Sequence, residues 1–294
     1  MLQAQGGPLA FSHAMLPTPM LVDGVVRVLF ASCDYEMRGR IFAAEFAPKP
    51  PFDLLNVSAE PVLDVGAPGA FDCDGVNPSQ LLRVDGEVVL LYIGWRRGSV
   101  ETPYTLFAGM ARSRDGGRTF TKDDAPLLPP LPGERFFRTA PFITPRHGGY
   151  EMLYIGGESF FDGPLGKRLP KYSLRKLHST HADSWSGPGD IVLEPDVAAG
   201  EIGFGRPVIT GKNQDRLMVS IRTCEGYELV EGPAPGIPGS RPPLNPVFQP
   251  PFESWEAQMR CFGAPCVMGD YELLFYNGDG FGRSGVGLAW RHRD

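Results

Sequence analysis

Asp72 and Asp74 stand two positions apart just ahead of Asn77 and Pro78. In an extended strand both would share a face, whereas a turn sends only one of them to a common site. One of the pair is therefore a candidate for proton transfer and the other for capping the turn. Asp34, Glu158 and Glu256 are the carboxylates placed to act as a second acid or base. Six arginines, Arg40, Arg96, Arg138, Arg206, Arg222 and Arg260, add a different chemistry, because guanidinium groups facing one cavity suit a carboxylate, sulfate or phosphate. Trp95, Tyr104 and Tyr172 offer ring faces, and His13, Lys171 and Asn277 offer polar heads. Trp95, following Gly94 at a strand end, is the better candidate for stacking, and His13 reads more readily as a core histidine bonded to backbone. Taken singly, each of these reads equally well as a surface ion pair, a turn cap or a packing ring.

What gives them weight is the regularity of their placement. Five units share one layout: a Pro, a few apolar residues, a Gly or Asp turn, and an apolar run that often ends in an aromatic residue and Gly. They begin at Pro19, Pro78, Pro141, Pro207 and Pro265, separated by 59, 63, 66 and 58 residues. In the second, the turn Asp85-Gly86 is followed by the run 88–94. In the third, Gly148-Gly149 is followed by 150–156, and in the fifth, Gly269-Asp270 by 271–278. Each is a β-hairpin, and the continuous apolar runs predict strands buried on both faces. Third strands are expected at 40–46, 105–113, 172–180 and 284–291, and fourth strands near 62–63, 127–128, 191–193 and 247–248. The fifth unit has no sequence left for its own fourth strand, so closure by 8–13 is expected. The predicted architecture is an all-β, five-bladed β-propeller of four-stranded antiparallel blades, one domain over 1–294. The blades fall at about 14–66, 67–131, 132–196, 197–250 and 251–294. In such a ring the first strands line the axis, so the candidates above converge on one central funnel.

Ser113-Arg114-Asp115-Gly116-Gly117-Arg118-Thr119-Phe120 resembles an Asp-box turn, in which Asp115 accepts backbone hydrogen bonds and Phe120 packs into the blade. The segments 160–170 and 232–251 read as long loops that could shape a pocket. With 37 Gly and 30 Pro among 294 residues, few helices are expected. A formal charge of -6 supplies no cationic stripe for a phosphate backbone, so nucleic acid is not an expected partner. No stretch has the apolar length of a membrane helix, and 1–11 carries no secretion-signal pattern, so a cytoplasmic location and no membrane association are expected. Cys33, Cys73, Cys224, Cys261 and Cys266 lack the spacing of zinc or redox pairs and read as free thiols. No motif calls for a metal or a cofactor.

The five Pro-hairpin units, the run Asp-Cys-Asp-Gly-Val-Asn-Pro-Ser at 72–79 and the run Asn-Gly-Asp-Gly-Phe-Gly at 277–282 resemble the five-bladed propeller glycosidase superfamily. That group includes arabinanases, β-xylosidases, invertases, levansucrases and mannoside phosphorylases. The start His13 to Pro19, His-Ala-Met-Leu-Pro-Thr-Pro, is similar to that of glycosidase-like propellers that accompany surface-glycan or natural-product biosynthesis. The resemblance implies an acid on blade one, an Asp on blade two and a Glu on blade three. Asp74 or Asp72 meets the second, but Pro17-Thr18-Pro19 and Arg138-Thr139-Ala140 carry no acid where the others belong. Glycoside hydrolysis needs two carboxyl groups flanking the scissile bond, and Asp34, Glu158 or Glu256 could supply a displaced partner, since loop ends reach the same funnel. The expected function is a glycoside hydrolase-like enzyme acting on a polar or anionic sugar-containing small molecule in the funnel. The alternatives are a non-hydrolytic tailoring enzyme and a propeller that binds carbohydrate without chemistry.

Overall fold

The computed structural model describes residues 1–236 and 240–293. Its strands follow one another as antiparallel meanders. The first contains β1 (Ser12–Val22), β2 (Val25–Cys33), β3 (Gly39–Phe46) and β4 (Leu54–Val57). The second contains β5 (Gly75–Val84), β6 (Glu87–Arg97), β7 (Tyr104–Ser113) and β8 (Thr121–Lys122). The third contains β9 (Phe137–Arg146), β10 (Gly149–Asp162), β11 (Arg168–Ser179) and β12 (Asp190–Leu193). The fourth contains β13 (Gly203–Thr210), β14 (Arg216–Arg222), β15 (Tyr227–Pro233) and β16 (Asn245–Pro246), and the last β17 (Cys261–Met268), β18 (Tyr271–Asn277) and β19 (Val286–His292). Short parallel bridges, Gly39 to Gly75 and Leu106 to Phe137, fuse the first three meanders into one 12-stranded sheet.

The expected hairpins form where turn chemistry requires them. Asp23-Gly24 and Asp85-Gly86 have φ of 50 and 80°, and 48 and 85°, the paired positive values of a tight two-residue hairpin turn. The apolar run after the second turn is buried from Val88 to Gly94, as befits a strand covered on both faces. The first strands β1, β5, β9, β13 and β17 each touch the next, and β17 touches β1, so they surround a common axis. Each is also bulged beside its Pro, which lacks the N–H a regular ladder needs. In four of the five a non-glycine residue takes a positive φ there: Leu16 at 51°, Ala140 at 50°, Arg206 at 38° and Phe262 at 54°. Such backbone costs on the order of 1–3 kcal/mol and persists only where the surroundings dictate it.

Three expectations are corrected. Closure does not use 8–13: Leu2 bridges Val286 on β19 while Ser12 and His13 already belong to β1. The segment 160–170 is not a loop, because Phe160, Phe161 and Asp162 pair with Pro170, Leu169 and Arg168 and extend the β10–β11 hairpin. Within 232–251 a short strand, β16, pairs with β15, and residues 237–239 of that segment lie outside the described residues. The expected fourth-strand stretches do bond the third strands, Leu63 through Ile41, Leu127 through Ala108 and Val247 through Leu229, although the regular pairing falls earlier in three meanders. No helix among the described residues is long and apolar enough to cross a membrane.

Candidate functional site

The starts of the first and third strands and the ends of the second strands share one end of the molecule, here termed the mouth. Most sequence-nominated residues sit at or near it, but their side chains divide into three groups. The first locks the scaffold. Asp34 is buried and accepts the Glu36 and Arg38 amides at 2.9 Å, Arg38 Nε at 2.9 Å and Arg40 Nη1 at 2.5 Å. Burial alone would raise its carboxyl, but these donors hold it down at about 2. Arg40 is itself buried and reaches Asp64 at 2.7 Å.

Asp72 and Glu256 belong to a repeated device. Tyr92, Tyr154 and Tyr276 each stand two residues before a glycine on a second strand. Tyr92 donates to Asp72 at 3.1 Å and Tyr154 to Glu134 at 2.8 Å, while Tyr276 meets the Glu256 carboxyl. Burial first, and then the Glu134 carboxylate, pushes the Tyr154 phenol up to about 12. The following glycine makes room: a Cβ at Gly94 would lie 2.8 Å from Asp72 Cβ, and one at Gly156 would lie 2.6 Å from Arg175 Cδ. Lys122 completes the Asp72 pair at 2.8 Å, and Arg138 and Arg175 complete that of Glu134 at 2.8 and 3.0 Å. Arg138 therefore lies buried against Glu134 and the carbonyls of Pro129 and Gly187, away from any ligand. Glu134 was not anticipated, although it stands seven residues before Pro141, close to the six between Asp72 and Pro78.

Arg206 and Asn277 staple the ring. Arg206 donates to the Pro17 carbonyl at 2.5 Å, Thr18 Oγ1 at 2.8 Å and the carbonyls of Ser79 and Phe262 at 3.0 and 3.4 Å, tying β13 to three other first strands. Burial pushes its guanidinium down to about 9, still charged at neutral pH. Asn277 accepts the Leu16 amide at 2.8 Å and donates to the Ala14 carbonyl at 2.6 Å, joining β18 to β1. Arg260 bonds the Glu256 carbonyl and Glu228, and stacks on Phe252 at 3.6 Å. Leu16, Phe137, Phe204 and Phe262, from four of the first strands, belong to one buried apolar cluster. Two recesses lie away from the mouth: one of about 340 Å³ beside Asp115, and one of about 590 Å³ lined by Arg146, His147, His178 and His181 at the hairpin-turn end.

The second group, at the rim, stays partly open. Asp74 is half-buried, and its Oδ2 accepts the Arg97 amide at 2.9 Å. Glu158 accepts the Gly133 amide at 2.8 Å and Arg135 at 3.0 Å, and these contacts lower its carboxyl. Arg96 and Lys171 are exposed. His13 touches Ser12 Oγ at 2.9 Å, and burial followed by nearby Arg283 lowers its pKa, favouring the neutral ring.

The third group is aromatic. Trp95 packs on Tyr104 with ring centroids 4.9 Å apart, Phe137 meets Tyr172 at 5.0 Å, and Tyr227 meets Phe281 at 5.8 Å. The Arg222 guanidinium lies over the Tyr172 and Tyr227 rings, 5.8 and 5.4 Å from their centroids, and donates to the Tyr172 hydroxyl. Tyr104 is its third phenol neighbour. Trp95 and Phe281 remain 37% and 41% exposed, each against a phenol neighbour of Arg222. Tyr227 was missed because the third strand of the fourth meander was not recognised, and Phe281 because the run 277–282 served only as a mark of resemblance. Among the described residues no three His, Cys, Asp or Glu side chains gather as metal ligands would.

The Asp-box geometry is as expected. Asp115 accepts the Arg118 and Thr119 amides at 2.9 and 3.0 Å and the Thr119 hydroxyl at 2.6 Å.

No known family model matches the chain. An uncharacterized protein of Mycobacterium tuberculosis, Rv1502 in strain H37Rv, is 24% identical over 281 residues, covering 95% of this chain and 92% of that one. Solved structures share the fold. A putative glycoside hydrolase from Bacteroides ovatus matches with a TM-score of 0.71 at 16% identity, over 100% of this chain and 93% of its own. A thermostable family-43 glycoside hydrolase matches at 0.68 and 13%, over 98% and 93%. An α-L-arabinofuranosidase from Lactobacillus brevis matches at 0.69 and 11%, over 95% and 90%. The chain thus has the all-β fold of propeller glycoside hydrolases.

Proposed function

We propose that the five meanders are the blades of one propeller domain and that the protein is a glycoside hydrolase-like, carbohydrate-active protein. Its ligand is a polar or anionic sugar-containing small molecule, held at the mouth. One observation carries this reading: in a fold shared with glycoside hydrolases, the partly exposed rings of Trp95 and Phe281 lie against Tyr104 and Tyr227, two phenol neighbours of the Arg222 guanidinium, at the end where five meanders meet. Ring faces stack on sugar rings, and polar heads beside them bond hydroxyls. Saturation-transfer NMR with neutral and acidic mono- and disaccharides tests it. Sugar protons should receive saturation from the wild-type protein and lose most of it in Trp95→Ala. Equal transfer in the variant contradicts the reading.

If the protein hydrolyses its ligand, Asp74 is the assigned acid or base, since Asp34 and Asp72 are saturated by scaffold donors, and Glu158 is its rim partner. Asp74→Asn should then lower turnover at least a hundredfold with an unchanged melting temperature; unchanged turnover removes the assignment. The same commitment of carboxylates to the scaffold favours a second reading, a propeller that binds or tailors its ligand without hydrolysis. A substrate panel that is bound but not cleaved would support it.

A further inference from the structure

We propose that Arg222 and the phenols of Tyr104, Tyr172 and Tyr227 form an oxyanion cage, which selects ligands bearing a carboxylate, sulfate or phosphate beside the sugar ring. The proposal deepens the reading of the mouth as a ligand site and rests on it.

Among the described residues, the arginines that are buried or half-buried end on a carboxylate or on backbone carbonyls, with Arg222 as the exception. Its partners are the phenol oxygens of Tyr172 and Tyr104 and the ring faces of Tyr172 and Tyr227. Burial raises the pKa of all three phenols, so they are neutral at physiological pH and leave its charge uncompensated. A half-buried cation without a counter-ion is costly unless something supplies the charge.

The residue is also oriented for such a role. Arg222 is the last residue of β14, paired with Gly203 and Tyr227, which sets its base in the sheet and its head at the mouth. The three tyrosines come from β7, β11 and β15, so three meanders contribute phenols around a single head group. A planar guanidinium accepts two oxygens of one oxyanion in parallel, and phenol hydroxyls that now face it can turn to donate to the same oxygens. A ring held on Trp95 or Phe281 would carry that group as a substituent.

Isothermal titration of the full chain at low ionic strength with glucose, glucuronate, glucose 6-phosphate and inorganic sulfate tests this. The expected result is at least tenfold tighter binding of both charged sugars than of glucose. That preference should be lost in Arg222→Gln, the charged sugars falling to the level of glucose, and kept in Arg216→Gln at the exposed opposite end of the same strand. Sulfate binding that Arg222→Gln abolishes, with no sugar bound, would uphold the cage and overturn the carbohydrate reading. Glucose and glucuronate binding equally would overturn the cage and leave that reading intact, and no binding of any probe would overturn both. Should Arg222→Gln fail to fold, Arg222→Lys and Tyr227→Phe report instead. Each should reduce the charged-sugar preference severalfold, and an unchanged preference in both overturns the proposal.

Discussion

At the scale of single residues, the chain separates groups that look alike in sequence. Asp34 and Asp74 both precede or follow a strand at the mouth, yet four donors fix Asp34 whereas Asp74 takes a backbone amide at the rim. The Asp34 carboxyl sits at about 2 in the fold, below the value of 3.8 for a free Asp. Because the folded pKa is depressed, its contribution is complete above about pH 4 and drains away as pH falls toward 2. It amounts to about 2 kcal/mol at neutral pH. Urea titrations of wild type and Asp34→Asn should therefore differ by a constant amount from pH 5 to 8 and converge below pH 4. A difference independent of pH would mean that the carboxylate charge is not what matters. The arginines were the harder reading. Arg138 and Arg206 look like pocket-lining cations because the sequence reports their spacing, but their fate depends on carbonyls and carboxylates contributed by distant segments, such as Gly187 and Ser79.

At the scale of elements, local pattern was a good guide wherever the structure is local. The Asp-Gly hairpins, the third strands of four meanders and the Asp-box all follow from turn chemistry and alternation within a few residues. The β10–β11 extension was misread because Gly163, Pro164 and Gly166 punctuate it like a loop, although they occupy only the tip of a longer hairpin. The bulge beside each Pro was legible as a repeat but not as geometry. It yields a test: at Ala140, φ is 50°, so Ala140→Gly relieves backbone strain that Ala44→Gly, in the regular buried strand β3, does not. Chemical denaturation should show Ala44→Gly costing about 1 kcal/mol more than Ala140→Gly. Equal losses would show that the positive φ stores no strain.

At the scale of the whole molecule, the ring is held by a few long-range contacts. Leu2 bonds Val286 in both directions, at 3.0 and 2.8 Å, and Asn277 bonds Ala14 and Leu16. A single bridge leaves no alternating pattern in sequence, which is why closure was expected at 8–13 instead. Removing residues 1–10 would expose the β19 edge to other chains. Light scattering after chromatography should show self-association of that truncated chain and calorimetry a lower melting temperature. A monomer with unchanged melting would show that the Leu2 bridge is dispensable.

The central claim is that the end where the first strands begin is where a ligand is held, rather than the recess beside Asp115 or the cleft at His147 and His181. Crystals of the full chain soaked with glucuronate test it most directly. The account predicts density with the sugar ring against Trp95 or Phe281 and the carboxylate on Arg222. Density confined to the recess beside Asp115, or to the His147 and His181 cleft, would contradict it.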